Sequence, residues 1–458
     1  MKKTLLSGMI GLLSAQPVLA IDLVEVYERA LSYDSGIATA RASLNAQLAG
    51  SDVSRSNLLP RINAFGEAGH TDRSAGALSD SFKSYSYGVQ LTQPLFRADA
   101  WFGFEASKEQ SEKARAEYSL AQQQLILNVA TAYFNVLRAG DALTTTRAAE
   151  TAFKRQYEQA QERYDVGLIA ITEVFEARAT FDATTTQRIA AENELDIARE
   201  QLARLTGEYH ERVHNLQQNF PLARPEPLDV SAWEQTALEQ NWQIQAANAE
   251  LRVNESRFKV ARSGHYPTLD LSARYAWQDT DGFANQMGPG NNDRRIEDTT
   301  LALSLNVPLY AGGGTQAGVR QQRSLVDVAM ESLETTRRDV RVNTRSLFRS
   351  VNTNIEAVSA LEQTIISRRS ALDATRAGYE VGTRNIVEVL EAERNYYVAL
   401  RDYADARYDY VINTLRLKQA AGTLSPQDLM DLNQWISATA PGIEALASED
   451  DNIGAAVR

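Results

Sequence analysis

Hydrophobic and polar residues repeat with two different periods along this chain, and the changes of period fall beside prolines. No proline occurs between Pro94 and Pro221 or between Pro308 and Pro426. Proline interrupts helix interiors because it lacks an N–H and its ring clashes with the preceding turn, so both stretches can be helical throughout. Glycine divides them at matching places. The pattern predicts helices over 98–163 and 315–377, ended by Gly167 and by Gly378 to Gly382. Two more follow over 168–206 and 383–421, with Gly207 and Gly422 where left-handed C-terminal caps belong. A further pair is expected over 22–59 and 228–263. At about 1.5 Å per residue the long helices reach roughly 95–100 Å and the short ones roughly 55 Å. Two short helices end to end therefore match one long helix, which suggests a rod of constant length.

Between Pro60 and Pro94, and between Pro267 and Pro308, the period becomes two. Leu269, Leu271, Ala273, Tyr275 and Trp277 alternate with Thr268, Asp270, Ser272, Arg274 and Ala276. Leu301, Leu303, Leu305 and Val307 do the same within 300–307, and Tyr85, Tyr87, Val89 and Leu91 within 84–92. The stretch 61–68 is weaker, with Ile62, Ala64, Gly66 and Ala68 on one side. Strands of about eight to eleven residues suit a tilted membrane β-strand. The polar segments 69–83 and 278–297 are expected to be surface loops. Phe96, Trp101, Tyr266 and Tyr310 fall near the strand ends, where an interfacial aromatic belt belongs. The competing reading is an ordinary two-hairpin sheet packed on helices. It needs an apolar helix surface facing the sheet, whereas the long helical stretches are rich in Gln, Arg, Glu and Ala.

The chain is also a tandem duplication. Residues 164–177 read YDVGLIAITEVFEA and residues 379–392 read YEVGTRNIVEVLEA, identical at eight of fourteen positions. Self-similarity at this scale sets the architecture: each copy carries helix, β-hairpin, long helix, tip turn and helix. The first copy is placed at 21–227 with its hairpin at 61–93 and its tip turn near 164–172. The second is placed at 228–437 with its hairpin at 268–307 and its tip turn near 379–387.

Composition narrows the setting. Lys2, Lys3, the apolar run Leu5 to Leu13, and Val18 with Ala20 before Ile21 make residues 1–20 an expected export signal. There is no cysteine, which removes disulfides, thiolate metal sites and acylation on Cys. A net charge of −12 argues against nucleic acid as a partner. No later stretch approaches the roughly twenty apolar residues of a spanning helix. The tail 438–458, with its Ser-Glu-Asp-Asp run, is expected to be acidic and disordered.

Only helices and closed barrels can span lipid, because every backbone polar group must be paired there. Four strands cannot close a barrel, since the smallest membrane barrels need about eight. The chain must pool strands with copies of itself. Two copies would give a filled eight-stranded interior. Three would give twelve strands and a passage, continuing into twelve helix columns. The physics favours three over two without proving it.

Several segments fall in order at spacings that resemble the TolC-type channel tunnels of the outer membrane efflux protein family. They are QLTQPLF at 90–96, LILNVATAYFNVL at 125–137, HYPTLDL at 265–271, VPLYAGG at 307–313, YEVGTRNIVEVLEA at 379–392 and ARYDYVINTLRLKQAAGTL at 406–424. The resemblance implies a mostly α-helical chain that trimerises into a twelve-stranded β-barrel in the outer membrane. That barrel would continue into a periplasmic α-helical barrel. An equatorial region would come from residues near 207–230 and 422–437. Also implied are docking to a periplasmic adaptor and to an inner-membrane RND or ABC transporter, and a role in drug efflux or type I secretion, without any cofactor.

The tip turns hold the candidate site. Gly167 and Gly382 permit the left-handed reversal of one helix into the next, and with Leu168 and Thr383 they form the expected adaptor-docking turns. Asn385 and Glu388 have capping-box spacing, so Glu388 has a helix-start role available to it. Glu388 and Glu391 share a helix face, and in a trimer they would form rings of like charge that favour cations. The resemblance places acidic constriction residues here. Arg384 aligns with Ile169 of the first copy, so only the second copy carries the cation. The resemblance further implies a latch pairing Arg384 with Thr172 and Tyr379 with Glu173; the plainer alternative is a solvated Arg and a packed Tyr.

Two other signals are set aside. HERVH at 210–214 has the letters of a zinc-protease helix, but it follows the Gly207 cap in a short linker. Gly312 to Gly314 lacks the Lys-Ser/Thr of a phosphate loop. A non-conducting trimeric coiled-coil spacer or adhesin remains the alternative function, and it predicts no ion flow.

Overall fold

The computed structural model describes residues 20–75, 78–280 and 295–443. The expected signal, apart from Ala20, and the Ser-Glu-Asp-Asp run of the tail lie outside these residues. In chain order the elements are α1 (Leu23–Tyr33), α2 (Ser35–Ser56), β1 (Arg61–Ala75), β2 (Leu78–Phe96), α3 (Ala98–Asp165) and α4 (Ile171–Thr206). Then follow β3 (Asn215–Leu216), α5 (Val230–Gln240), α6 (Trp242–Ser263), β4 (Thr268–Thr280) and β5 (Arg295–Asn306). The chain continues through α7 (Gly314–Glu380), α8 (Ile386–Ala421), α9 (Pro426–Asn433) and β6 (Ile436–Ser437). No helix among the described residues is long and apolar enough to cross a membrane. Its contacts group the chain into two compact units. One draws on the described residues of Met1–Ala38, Ala121–Glu239 and Arg341–Arg458, the other on Thr39–Leu120 and Gln240–Val340.

The Pro-free stretches form helices of 68 and 67 residues, each followed by one of 36. The segments 22–59 and 228–263 differ from expectation, because each breaks into two helices. Asp34 is extended (φ −62°, ψ 123°); its N–H donates to the Ala30 carbonyl at 2.8 Å. Its carboxylate accepts from the Ile37 N–H at 3.0 Å. Asn241 is extended likewise (φ −64°, ψ 126°), and its side chain accepts from the N–H groups of Gln243 and Ile244. A short polar side chain can end one helix and cap the next; no Pro marks either place, and Gly36 stands beside the first break alone.

The strands are longer than the apolar alternation. β1 and β2 hold 15 and 19 residues. They pair through the segment expected to be a loop, with His70 opposite Lys83 and Ala75 opposite Leu78. β4 and β5 likewise continue to Asp279 opposite Arg295. Backbone pairing persists there without apolar alternation, so periodicity alone stops short. The sheet is antiparallel in the order β1-β2-β4-β5, which leaves β1 and β5 as edges. Among the described residues neither edge has a second strand partner.

Register sorts the sheet's faces. Ile62 lies opposite Leu91, Val89 opposite Tyr275 and Ala273 opposite Leu301. Tyr87 faces Trp277 with ring centroids 4.5 Å apart. This face is apolar and solvent-exposed, with Leu301 73% accessible. The other face carries Asn63, Gln90, Ser272 and Thr300. There the Phe65 ring crosses Gly88 and holds the Arg274 guanidinium 4.7 Å from its centroid. A Cβ at Gly88 would lie 2.2 Å from the Tyr275 carbonyl oxygen, so the crossing needs glycine.

In the first unit the core surrounds α3. Tyr133 and Phe134 are fully buried, and the Tyr133 hydroxyl donates to the His214 carbonyl at 2.8 Å. Tyr408 donates to Asp141 at 2.6 Å. Burial and the Asp141 carboxylate raise this phenol well above its ordinary range. β3 pairs with β6, and Arg407 donates to the Gln217 carbonyl at 2.6 Å. Residues 207–214, which include His210 and His214, are not helical, so those two His share no helix face. Gly312 and Gly313 have positive φ and lead into α7 at Gly314.

Candidate functional site

The turns that join α3 to α4 and α7 to α8 lie in the same unit and pack against one cluster. Ala149, Phe153 and Ala160 of α3 meet Val174 and Ala177 of α4 and Ile386, Val389 and Leu390 of α8. Ile169 and Tyr379 pack on its margin, beside Tyr157, Phe181 and Tyr397. The apolar spacing of three and four residues on α8 presents this stripe on one face.

Each turn closes on glycine. Gly167 and Gly382 both adopt φ 77°. The Leu168 N–H donates to the Arg163 carbonyl, and the Thr383 N–H to the Gly378 carbonyl, both at 2.8 Å. This is the capping pattern that satisfies a helix's last carbonyls. At the second turn α7 runs past Gly378 to Glu380, although Gly378 had marked its expected end. The missing side chain makes room for Arg384, whose Cγ would be 2.7 Å from a Cβ at Gly378. Several apolar residues at the turns face solvent, among them Leu168 (71% exposed), Val166 and Val381.

The polar residues are distributed unevenly. Asn385 accepts from the Glu388 N–H at 3.0 Å and caps α8. The Asn385 backbone N–H also lies toward the Glu388 carboxylate. Arg384 donates to that carboxylate at 2.5 Å. That hydrogen bond holds the Glu388 carboxyl below the ordinary carboxylate range. Glu391, one turn on, is exposed. On the first copy Ala170 occupies the N-cap position of α4 without a side-chain bond, Thr172 is exposed and Glu173 is half-buried.

The pairs Arg384–Thr172 and Tyr379–Glu173 are not made in this arrangement. Arg384, in the turn just before the Asn385 cap, finds Glu388 in the first turn of the adjoining α8 rather than a residue of the other turn. The Tyr379 ring is covered by the Arg163 guanidinium at 4.8 Å. The structure therefore brings the six side chains to one pair of neighbouring turns but gives Arg384 and Tyr379 other partners. Two participants escaped the sequence reading. Arg163 carries no local signal. Glu393, fully buried and paired with Arg376 at 2.6 Å, does carry one: it is a carboxylate in the apolar stripe that runs Ile386, Leu390, Glu393, Leu400. Among the described residues no cluster of His, Cys, Asp and Glu is arranged to hold a metal.

Known proteins resemble this chain in sequence and in fold. The family described as "Outer membrane efflux protein" matches residues 26–208 and 233–423, once for each copy. The outer membrane protein TolC of Vibrio cholerae is 36% identical over 438 residues, covering 94% of this chain and 98% of the relative. The alkaline protease secretion protein AprF of Pseudomonas aeruginosa is 26% identical, covering 93% and 89%. Among solved structures, the Campylobacter jejuni CmeC outer membrane channel superposes with a TM-score of 0.76 at 17% identity, covering 93% of this chain and 89% of that one.

Proposed function

Because the chain belongs to the outer membrane efflux protein family, we propose that it is the outer-membrane exit duct of a tripartite efflux or type I secretion system. It sits in the outer membrane of a Gram-negative cell and extends into the periplasm. Drugs, small molecules or unfolded proteins pass through it from an inner-membrane transporter. The observation that carries this reading is the sheet, four strands with two unpaired edges and one exposed apolar face. Unpaired backbone has no solvent partner in lipid, so the edges must meet those of sister chains. Three copies bring twelve strands, enough for a barrel with a passage. The AprF relative, named for protease secretion, supports protein export beside efflux.

The two tip turns serve as the gate. Three copies of Glu388 and Glu391 make acidic rings that favour cations. Arg384 is the exchangeable donor. Its partner here is Glu388, and Thr172 and Glu173 on the neighbouring turn are the acceptors that latch the tips shut, with Tyr379 assisting. The exposed Leu168 and the turn residues Gly167, Gly382 and Thr383 offer the docking surface for a periplasmic adaptor, which in turn engages an RND or ABC transporter.

Planar-bilayer conductance of the purified full-length protein, with its subunit number measured alongside, tests the duct. Ion flow through a trimer is expected, and a trimer that carries no current would favour the spacer alternative. Arg384→Ser combined with Tyr379→Phe is expected to raise single-channel conductance. Unchanged conductance would discard the latch.

A further inference from the structure

Among the buried residues of α8, one is a carboxylate. Glu393 is 0% exposed and continues the stripe whose preceding members, Ile386, Val389 and Leu390, pack on α3 and α4. Burying a charge is costly unless it is paired and its remaining hydrogen-bonding sites are filled. Here that condition is half met. Arg376 of α7 donates to Oε1 at 2.6 Å, while Oε2 of Glu393 and Nε of Arg376 have no partner. Burial with one oxygen unpartnered favours the protonated carboxyl over the ion.

The groups around it can be named element by element. From α7 come Arg376 and, toward Tyr396, Arg369 and Asp373. From α8 itself come Tyr396 and Tyr397, with Tyr397 close enough to feel the Glu393 charge. From α3, Arg155 acts on Tyr397. From α4 the cluster receives the apolar Ala177 and Phe181. Among the described residues Arg376 is thus the cation paired with Glu393. Burial raises the Glu393 carboxyl above its ordinary range, and Arg376 opposes that rise without cancelling it.

The sign of the linkage follows. A carboxyl buried in the packed tip holds its proton more tightly than the same group in water. Parting α8 from the helices that bury it, α7 with Arg376 among them, would hydrate it and release the proton. Proton uptake therefore favours the packed arrangement, and the effect is gained as pH falls through the raised value toward the ordinary one of about 4.3. We propose that Glu393, set by Arg376, is a positioning residue of the gate whose protonation favours the shut tip, so that the duct closes as its surroundings acidify. This rests on the gate reading above.

The test is single-channel conductance of the full-length protein in planar bilayers, followed from about pH 7 to about pH 4. Wild-type conductance is expected to fall with acid, beginning above the ordinary carboxylate range. Glu393→Gln, uncharged at every pH, should lose that component and show the lower conductance already at neutral pH. Arg376→Met removes the opposing cation and should move the midpoint to higher pH. Glu388→Gln should leave the midpoint in place, because Glu388 titrates below the ordinary range. A merely structural role for the pair would alter conductance without moving a midpoint. A wild-type pH profile in Glu393→Gln, or an unmoved midpoint in Arg376→Met, overturns the inference. If the Arg384/Tyr379 variant still raises conductance in that case, the gate stands and only the proton coupling falls. If it too is silent, both fall. Should Glu393→Gln fail to assemble, the Arg376→Met midpoint decides alone.

Discussion

At the turn between α3 and α4 and at the turn between α7 and α8, a glycine at φ 77° is followed by an N–H that reaches back five residues to a carbonyl at 2.8 Å. The side chains laid on this common backbone differ. The second turn has an Asn cap, an Arg–Glu pair and the Thr383 hydroxyl on the Gly378 carbonyl at 3.0 Å. The first has Ala at its cap and Ile169 where Arg384 stands. Duplication preserved the reversal, which depends on a conformation that only glycine adopts cheaply. The polar chemistry was free to specialise in one copy. Backbone shape and polar chemistry are thus separable at these turns.

Substitutions can break that comparison or sharpen it. Gly167→Val and Gly382→Val should each destabilise the tip by roughly 1–2 kcal/mol, the cost of a left-handed residue with a branched Cβ. Thermal melting followed by circular dichroism would read it, and unequal losses would show that the two reversals are not equivalent. Asn385→Ala should cost about 1 kcal/mol through the lost cap of α8. Its mirror, Ala170→Asn, should stabilise α4 by about 0.5–1 kcal/mol. A null result there would mean that the first turn already satisfies its N–H groups by other means. The smallest effect is electrostatic. Arg384 holds the Glu388 carboxyl low, so on the gate reading proposed above a Glu388 ring stays ionised to a pH below the ordinary carboxylate value. In Arg384→Ser the ring should protonate at higher pH, and reversal potentials in a salt gradient should show cation preference fading earlier on acidification.

Much of this architecture was legible in the chain because two residues announce themselves. Proline is absent where helices run, and Gly167, Gly207, Gly382 and Gly422 sit where they turn back. The breaks at Asp34 and Asn241 were not legible, because a polar side chain that caps the next helix resembles any other surface residue. The outer ends of β1 and β2 were hidden for a related reason. Backbone pairing continues there without a regular apolar alternation in the sequence, so the period-two signal stops before the strand does. At the tips the positions were readable and the partners were not. Arg384 had acceptors on two segments, and the nearer one, four residues on in the first turn of α8, holds it here. Glu393 was readable in principle, as a charge at a spacing that otherwise holds Ile, Leu and Tyr.

The open margins of the sheet also bear on the life of the newly made polypeptide. A single folded copy shows β1 on one side and β5 on the other, each with a free row of backbone donors and acceptors, and between them an oily face. Such margins recruit whatever strand they meet. While the chain crosses the aqueous compartment before insertion, the folded monomer is its most dangerous form. Escort by a holding chaperone, or strand pairing delayed until sister chains and lipid are at hand, is the demand this geometry places on biogenesis.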